Sequence, residues 1–194
     1  MLDVISVAEG IKQLQGPGEH SRTWRIVHAF YEGLKANEPG IRVHQFVRCV
    51  EGFVLPEAGK TRRQLVHRTK LFVGPGHESL VGHLFDIRSA VEHLHGPLST
   101  IPGGNDIERG LVLLRRAYEA EVLARYCVHR LFSSLALWPH FRGDAALANF
   151  WTLSDTKRQN LWGNTLDFKT AVRIFDEERA RLQMDRRVGN KIKE

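Results

Sequence analysis

Residues 107–135 read IERGLVLLRRAYEAEVLARYCVHRLFSSL, the longest continuous helical pattern in the chain. Large apolar residues recur every three or four positions, as on one face of an α-helix. This expected core stripe consists of Ile107, Leu111, Leu114, Tyr118 and Val122. Small residues that let another helix approach closely accompany it at Ala117, Ala120, Ala124 and Cys127. We therefore expect a central helix here, with Asn105 or Asp106 as its cap.

The same spacing recurs on both sides of this helix, whereas sustained alternation of apolar and polar residues bounded by turns is absent. Five helices are predicted before it. The first covers 4–14 and the fourth covers 61–73. The apolar stripes of the other three are Trp24, Val27, Tyr31 and Leu34; Val43, Phe46, Val47, Val50 and Val54; and Leu80, Leu84, Ile87, Val91 and Leu94. Later helices are predicted over 144–152 and 155–161, and a last one contains Phe168, Val172, Phe175 and Leu182. The chain is therefore expected to form an all-α bundle of about seven to nine helices, as a single domain over 1–194.

Composition excludes several classes of protein. With 194 residues, 42% of them apolar and 26% charged, the chain is typical of one globular domain rather than a disordered or fibrous one. No apolar run approaches the ~20 residues that span a bilayer, so we expect a cytoplasmic protein without a membrane partner. Cys49 and Cys127 are too few for a disulfide framework or a thiolate metal site.

Positive charge is concentrated in residues 42–70. This segment has seven bases against Glu51 and Glu57, which gives +5 of the net +6 of the chain. The bases are Arg42, Arg48, Lys60, Arg62, Arg63, Arg68 and Lys70. They form either a phosphate-binding surface for RNA or simply the solvated sides of two helices. A second basic group at 179–193 is diluted by acidic residues, and we interpret it as a solvated helix end.

Three other motifs are weaker. Gly59-Lys60-Thr61 resembles the end of a phosphate-binding P-loop but lacks the required upstream glycine, so we expect a turn followed by a helix start. The turn at 56–60 does not make a persuasive DNA-binding helix-turn-helix, because both flanking helices carry apolar stripes. A third motif is a group of histidine and acidic residues. It does not supply the three converging ligands of a metal site, so no metal or other cofactor is expected. Its members are His77, His83, Asp86, Glu92, His93 and His95.

Arg88, Glu92 and His95 are spaced i, i+4, i+7 and would stack along one stripe of the predicted helix. His95 would lie in the last turn, where exposed carbonyls favour a protonated imidazole. A guanidinium beside an imidazole can bind a phosphodiester and move a proton to or from one of its oxygens. The structural alternative is an Arg88–Glu92 ion pair with His95 capping the carbonyls.

Residues 84–96 read LFDIRSAVEHLHG and resemble the signature of HEPN domains, in particular their bacterial Apea-like branch. In that signature an apolar helix carries Arg-Ser, and a histidine follows after four to six intervening residues. Both His93 and His95 fit this window. The next helix, 111–130, also resembles the last long helix of the family. The resemblance covers about 40–135, and about 140–194 would then form a C-terminal helical extension.

The HEPN resemblance implies a homodimer whose motif helices face each other across a composite site. Many members are metal-independent endoribonucleases that use the 2′-hydroxyl of RNA and leave a 2′,3′-cyclic phosphate, often beside an antitoxin or other protein partner. Here Arg88 would hold the phosphate and His93 or His95 would act as acid or base, supported by Ser89 and Glu92. Active members often have Asn, Asp or His where this chain has Ser89. Members without catalytic context are binding or regulatory modules.

A second hypothesis is a non-enzymatic helical interaction or scaffold module. In that case the Arg88 stripe would be dispensable. Changes at Leu84 or Ala120 would alter the oligomeric state first.

Overall fold

The computed structural model describes residues 20–173, and its regular elements there are all helical. The α-helices of this range are α1 (Ser21–Lys35), α2 (Pro39–Val54), α3 (Thr61–Arg68), α4 (Lys70–Val73), α5 (Glu78–Glu92), α6 (Asp106–Ser133), α7 (Trp138–Phe141), α8 (Asp144–Thr152) and α9 (Asp155–Trp162). A 3-10 helix spans Pro97–Thr100, and residues 168–173 are again helical. The predicted all-α bundle of seven to nine helices is confirmed.

Parts of the sequence predictions lie outside the described residues. These are the Val4–Leu14 helix, the end of the last helix with Phe175 and Leu182, and the basic group at 179–193. Among the helices of residues 20–173, none combines the length and the apolar character that a membrane crossing requires.

Helix α2 lies at the centre of the bundle and packs against α1, α5 and α6. Pro39 starts it at a position where the missing N–H costs nothing, and Leu55 ends it in the left-handed conformation. Its predicted apolar stripe is confirmed, since each member is at most 3% exposed. Those residues are Val43, Phe46, Val47, Val50 and Val54.

Helix α1 forms where the sequence indicates, but the predicted core face is wrong. Trp24, Tyr31 and Leu34 are exposed, and the buried face consists of Thr23, Ile26, Ala29 and Gly33. Close contact with α2 explains the reversal. A Cβ atom on Gly33 would lie 2.6 Å from Cε1 of Phe46, and one on Gly52 would lie 2.3 Å from Cγ1 of Ile26. In this seam a glycine of each helix therefore receives a large side chain of the other helix, and Trp24, Tyr31 and Leu34 face outward.

The same reversal affects α6. Its expected stripe begins with Ile107, Leu111 and Leu114, all exposed, while Tyr118 and Val122 are only partly buried. The buried face instead has Leu113, Leu123 and Leu131 beside the small residues, and the predicted burial of Ala117, Ala120, Ala124 and Cys127 is confirmed. Asn105 caps the helix through a capping box with Glu108. The long helix α6 thus packs against α2 through the face that carries its alanines.

The C-terminal helices share this core. Trp162 of α9 packs on Phe72 of α4, with ring centroids 4.5 Å apart, and on Phe53 of α2. Arg130 of α6 donates its Nε to the carbonyl oxygen of Trp162 at 2.9 Å. Trp151 of α8 contacts Phe72 of α4 and Arg68 of α3, so α8 and α9 lie beside α3 and α4. They create the surface described next.

Candidate functional site

Arg88 lies on α5 against α2, where two carboxylates hold its guanidinium. Its Nη2 donates to Oε2 of Glu51 at 3.2 Å, and its Nη1 pairs with Glu92 one turn further along α5. The Arg88 side chain is 16% exposed and lies over the ring of Phe85. The ion pair of the structural alternative is therefore present. Sequence spacing did not indicate Glu51.

Two further side chains of α2 lie near this guanidinium. His44, Arg48 and Glu51 are spaced i, i+4, i+7 and share one side of the helix. Burial, together with the charges of Arg48 and Arg88, lowers the pKa of His44 to about 4. Burial raises the pKa of Glu51, and the same two arginines oppose that rise. We call these residues, with Arg88 and Glu92, the Arg88 cluster. At neutral pH its histidine is uncharged.

The i, i+4, i+7 spacing on α2 was a signal that sequence reasoning could have used to find His44. The HEPN resemblance instead points to the histidines that follow Arg88 along the chain. Helix packing brings the imidazole to Arg88 from another helix. The charge of Arg88 is one of the causes that lower the pKa of His44.

The end of α5 differs from the sequence expectation. The helix ends at Glu92, and Leu94 has φ +58° and is 94% exposed, so its predicted place on the apolar face is wrong. The backbone N–H of Leu94 donates to Val91 O at 3.2 Å, and that of His95 donates to Ala90 O at 2.8 Å. These two bonds form a Schellman motif, which reverses the chain at the helix end.

His95 therefore lies beyond the helix rather than in its last turn, and it does not continue the Arg88–Glu92 stripe. His93 and His95 are both exposed, and neither side chain has a hydrogen-bond partner within residues 20–173. Ser89 is half-buried, and its carbonyl accepts from the N–H of His93 at 3.0 Å. The pockets described on residues 20–173 are lined by other residues than Arg88, His93 and His95.

The basic segment separates into different surfaces. Four of its residues, Lys60, Arg62, Arg63 and Lys70, line one groove of about 620 Å³ along α3, together with Val66, His67 and Glu78. We call it the α3 groove. The other three predicted phosphate-binding residues lie elsewhere. Arg42 pairs with Glu121 of α6, Arg48 belongs to the Arg88 cluster, and Arg68 turns inward to Val54 O and Leu55 O.

Three cations of the α3 groove have carboxylate partners. Lys60 contacts Glu57 at 2.8 Å, Lys70 contacts Glu78 at 2.8 Å, and Arg62 forms a two-point contact with Asp86 at 2.8 and 3.0 Å. The bond from Lys60 lowers the pKa of Glu57, and that from Lys70 lowers the pKa of Glu78. Solvent screens such exposed pairs and they contribute little to the stability of a fold, so a phosphate can compete for these cations.

Arg63 and His67 are different. Both side chains are exposed, and neither has an ion pair or hydrogen bond within the described part of the chain. They lie four residues apart on the outer side of α3. The α3 groove therefore offers one unpaired guanidinium and one unpaired imidazole among three weakly paired cations.

Two other sequence motifs have structural roles. Gly59 has φ +76° and ends a turn, and Thr61 begins α3, as predicted. Within residues 20–173 there is no group of three or more His, Cys, Asp or Glu side chains that could hold a metal ion. His83 accepts a hydrogen bond from Nε of Arg116 at 3.2 Å, and Asp86 binds Arg62.

The fold and site define a helical bundle with a basic groove on one side and a charge-paired arginine on another. Comparison with known proteins found no matching family model, no matching curated protein and no matching solved structure.

Proposed function

We propose that this protein binds RNA, as a HEPN-like module, and that the α3 groove holds the phosphodiester backbone. The observation that carries the proposal is the convergence of Lys60, Arg62, Arg63 and Lys70 on one groove. Arg63 has no carboxylate competitor among the described residues, so a phosphate can use all of its donors. The groove has few exposed aromatic rings, which favours contacts to the backbone over stacking on bases.

The test is fluorescence anisotropy with a labelled single-stranded RNA over a range of salt concentrations. Arg63→Ala should weaken binding about fivefold and lower the slope of log affinity against log salt by about one. Arg142→Ala is the matched control, because Arg142 is also exposed and lies outside the groove. Equal losses in the two variants would show a diffuse charge effect. Absence of RNA binding at low salt would overturn the proposal.

The HEPN resemblance extends the proposal to RNA cleavage by a dimer. In this form the Arg88 guanidinium releases Glu92 and binds the scissile phosphate. The 2′-hydroxyl attacks the phosphorus, the 5′-oxygen leaves, and an exposed His93 or His95 from either copy takes the proton of the 2′-hydroxyl or gives one to the 5′-oxygen. The ion pairs of Arg88 with Glu51 and Glu92 oppose that exchange, so the geometry supports binding better than cleavage.

Cleavage has its own test. RNA is incubated with the protein and a chelator, and the products are examined for 2′,3′-cyclic phosphate. His93→Gln and His95→Gln should fold normally because both side chains are exposed, and one of them should abolish cleavage. A substrate with a 2′-deoxy sugar at the cut site should resist. If wild-type protein leaves RNA intact, the catalytic form fails and the binding form stands.

An interaction module is the second candidate, and the outward face of α1 favours it. Trp24, Tyr31 and Leu34 are 59%, 56% and 43% exposed at helical spacing. Clustered exposed apolar residues mark surfaces that associate with other proteins. If this face forms a homodimer, Tyr31→Lys should convert the dimer to a monomer in sedimentation while RNA affinity per chain stays unchanged. A monomeric wild type would reject the homodimer.

A further inference from the structure

A second pocket adjoins the α3 groove and shares His67 and Lys70 with it. It has a volume of about 370 Å³ and lies where α3 and α4 meet α8 and α9. Trp151 is part of its wall, with Arg68 and Arg158 beside it. We call it the Trp151 pocket. Its volume suits a small ligand rather than a length of polymer.

Two guanidinium groups are fixed in this pocket. The Cζ of Arg68 lies 5.0 Å from the ring centroid of Trp151, and that of Arg158 lies 5.4 Å from the same centroid. Main-chain carbonyls hold both groups in place. Arg68 donates to Val54 O at 2.7 Å and Leu55 O at 2.9 Å, and Arg158 donates to Trp151 O at 2.8 Å. A ligand would therefore meet donors whose conformational entropy is already lost.

Positive charge in the Trp151 pocket is incompletely balanced. Arg68 has no carboxylate partner within the described residues, and the Lys70 ammonium lies near the same space. Burial lowers the pKa of Arg68, and the charge of Arg158 lowers it further against the opposing effect of Glu57. Asp155 is the carboxylate of the lining, but its side chain is 95% exposed and pairs with Arg158. An anion would relieve this repulsion.

We propose that the Trp151 pocket binds a phosphomonoester, either at the end of an RNA strand or on a free mononucleotide. A phosphomonoester carries a charge between about −1.5 and −2 at pH 7 and three acceptor oxygens, whereas a phosphodiester carries one charge. Guanidinium groups match such an acceptor better than an ammonium alone. The RNA-end form rests on the proposed function, because a strand in the α3 groove would reach this pocket through the shared His67 and Lys70.

The first experiment compares RNA oligonucleotides of one sequence that carry a phosphate at the 5′ end, at the 3′ end or at neither. Wild-type protein should bind one phosphorylated form about tenfold more tightly than the hydroxyl form. Gln159→Glu places a carboxylate in the pocket lining, gives up the hydrogen bond from Nε2 of Gln159 to Gly163 O, and should remove this preference. Asn160→Asp is the matched control, since it adds the same charge at the next residue of α9, outside the lining, and should keep it.

A second variant and a second ligand keep the test independent of folding and of RNA. Asp155→Asn removes the competing carboxylate and should strengthen the preference, the opposite direction to Gln159→Glu. Calorimetry with adenosine 5′-monophosphate and with inorganic phosphate tests the free-ligand source with the same variants. Both variants should keep the helical circular dichroism signal of the wild type.

The outcomes separate the two proposals. RNA binding without any preference for a phosphorylated end, and without binding of the mononucleotide or phosphate, overturns the pocket and leaves the α3 groove intact. Binding of the mononucleotide that Gln159→Glu abolishes, in a protein that ignores RNA, supports the pocket and overturns the RNA function. A preference that survives Gln159→Glu but disappears in Asn160→Asp rejects this location.

Discussion

The Arg88 cluster and the α3 groove both contain cationic side chains paired with carboxylates, but only the groove leaves its cations open to a ligand. In the cluster, one guanidinium meets two carboxylates and is 16% exposed. In the groove, three of the four cations each pair with one exposed carboxylate, and Arg63 is exposed without an ion pair among the described residues. A sequence motif therefore marks where a charge lies, whereas helix packing decides whether that charge can bind a ligand.

The largest expected effect tests whether Arg88 is structural. Arg88→Ala leaves Glu51 without its ion-pair partner in a mostly buried site, and should lower the free energy of unfolding by about 2–3 kcal/mol. Arg63→Ala should change it by less than about 0.5 kcal/mol, because its side chain is exposed. Urea unfolding at pH 7 measures both. If both variants lost little free energy of unfolding, Arg88 would be no more structural than Arg63 and would be available to a phosphate.

The next effect is a pH dependence of stability in the Arg88 cluster. The pKa of His44 is lowered to about 4, below its value in the unfolded chain, so the unfolded state takes up the proton first as the pH falls. The stability contributed by neutral His44 is present above about pH 6.5 and is lost towards pH 4.

His44→Gln isolates that contribution. Between pH 7 and pH 4.5 the variant should lose about 1 kcal/mol less stability than the wild type, after allowance for the solvent that reaches the half-buried ring. His93→Gln is the matched control, because it makes the same substitution at an exposed side chain outside α2. If stability depended on pH in the same way in the wild type and in His44→Gln, the charges of Arg48 and Arg88 would not lower the pKa of His44.

The smallest effect concerns the turn that ends α5. Leu94 has φ +58°, a conformation that favours glycine, and its side chain is 94% exposed. Leu94→Gly should therefore raise the free energy of unfolding by about 0.5 kcal/mol. Leu94→Ala removes the same apolar surface but keeps the Cβ atom, and should give no gain. A gain in both variants would assign the effect to the exposed side chain instead of the backbone.

The positions of the helices could be predicted from the sequence, but two of their faces could not. Periodicity locates α1 and α6 because apolar residues recur at helical spacing. The inference that the largest apolar residues face the core fails for Trp24 and Ile107. Gly33 and Ala117 are buried instead, since close helix contact selects small residues. The distance between two packed helices depends on the tertiary structure, and the apolar pattern of one helix alone does not reveal it.

The candidate site was partly predictable for a related reason. Lys60, Arg62 and Arg63 are close in sequence and lie on or beside one short helix, so local charge density predicted their shared groove. Glu51 and His44 reach Arg88 from a helix more than thirty residues earlier in the chain. Arg158 reaches Arg68 across an even longer separation. Sequence spacing within one helix does not report such contacts.

Gly33 and Gly52, in the contact between α1 and α2, restrict how the sequence can vary there. Phe46 and Ile26 already fill the space that a methyl group at these glycines would need. A larger residue at either position can be accommodated only if its partner becomes smaller. In a set of related chains, these positions should therefore covary in two pairs, 33 with 46 and 52 with 26, rather than change independently.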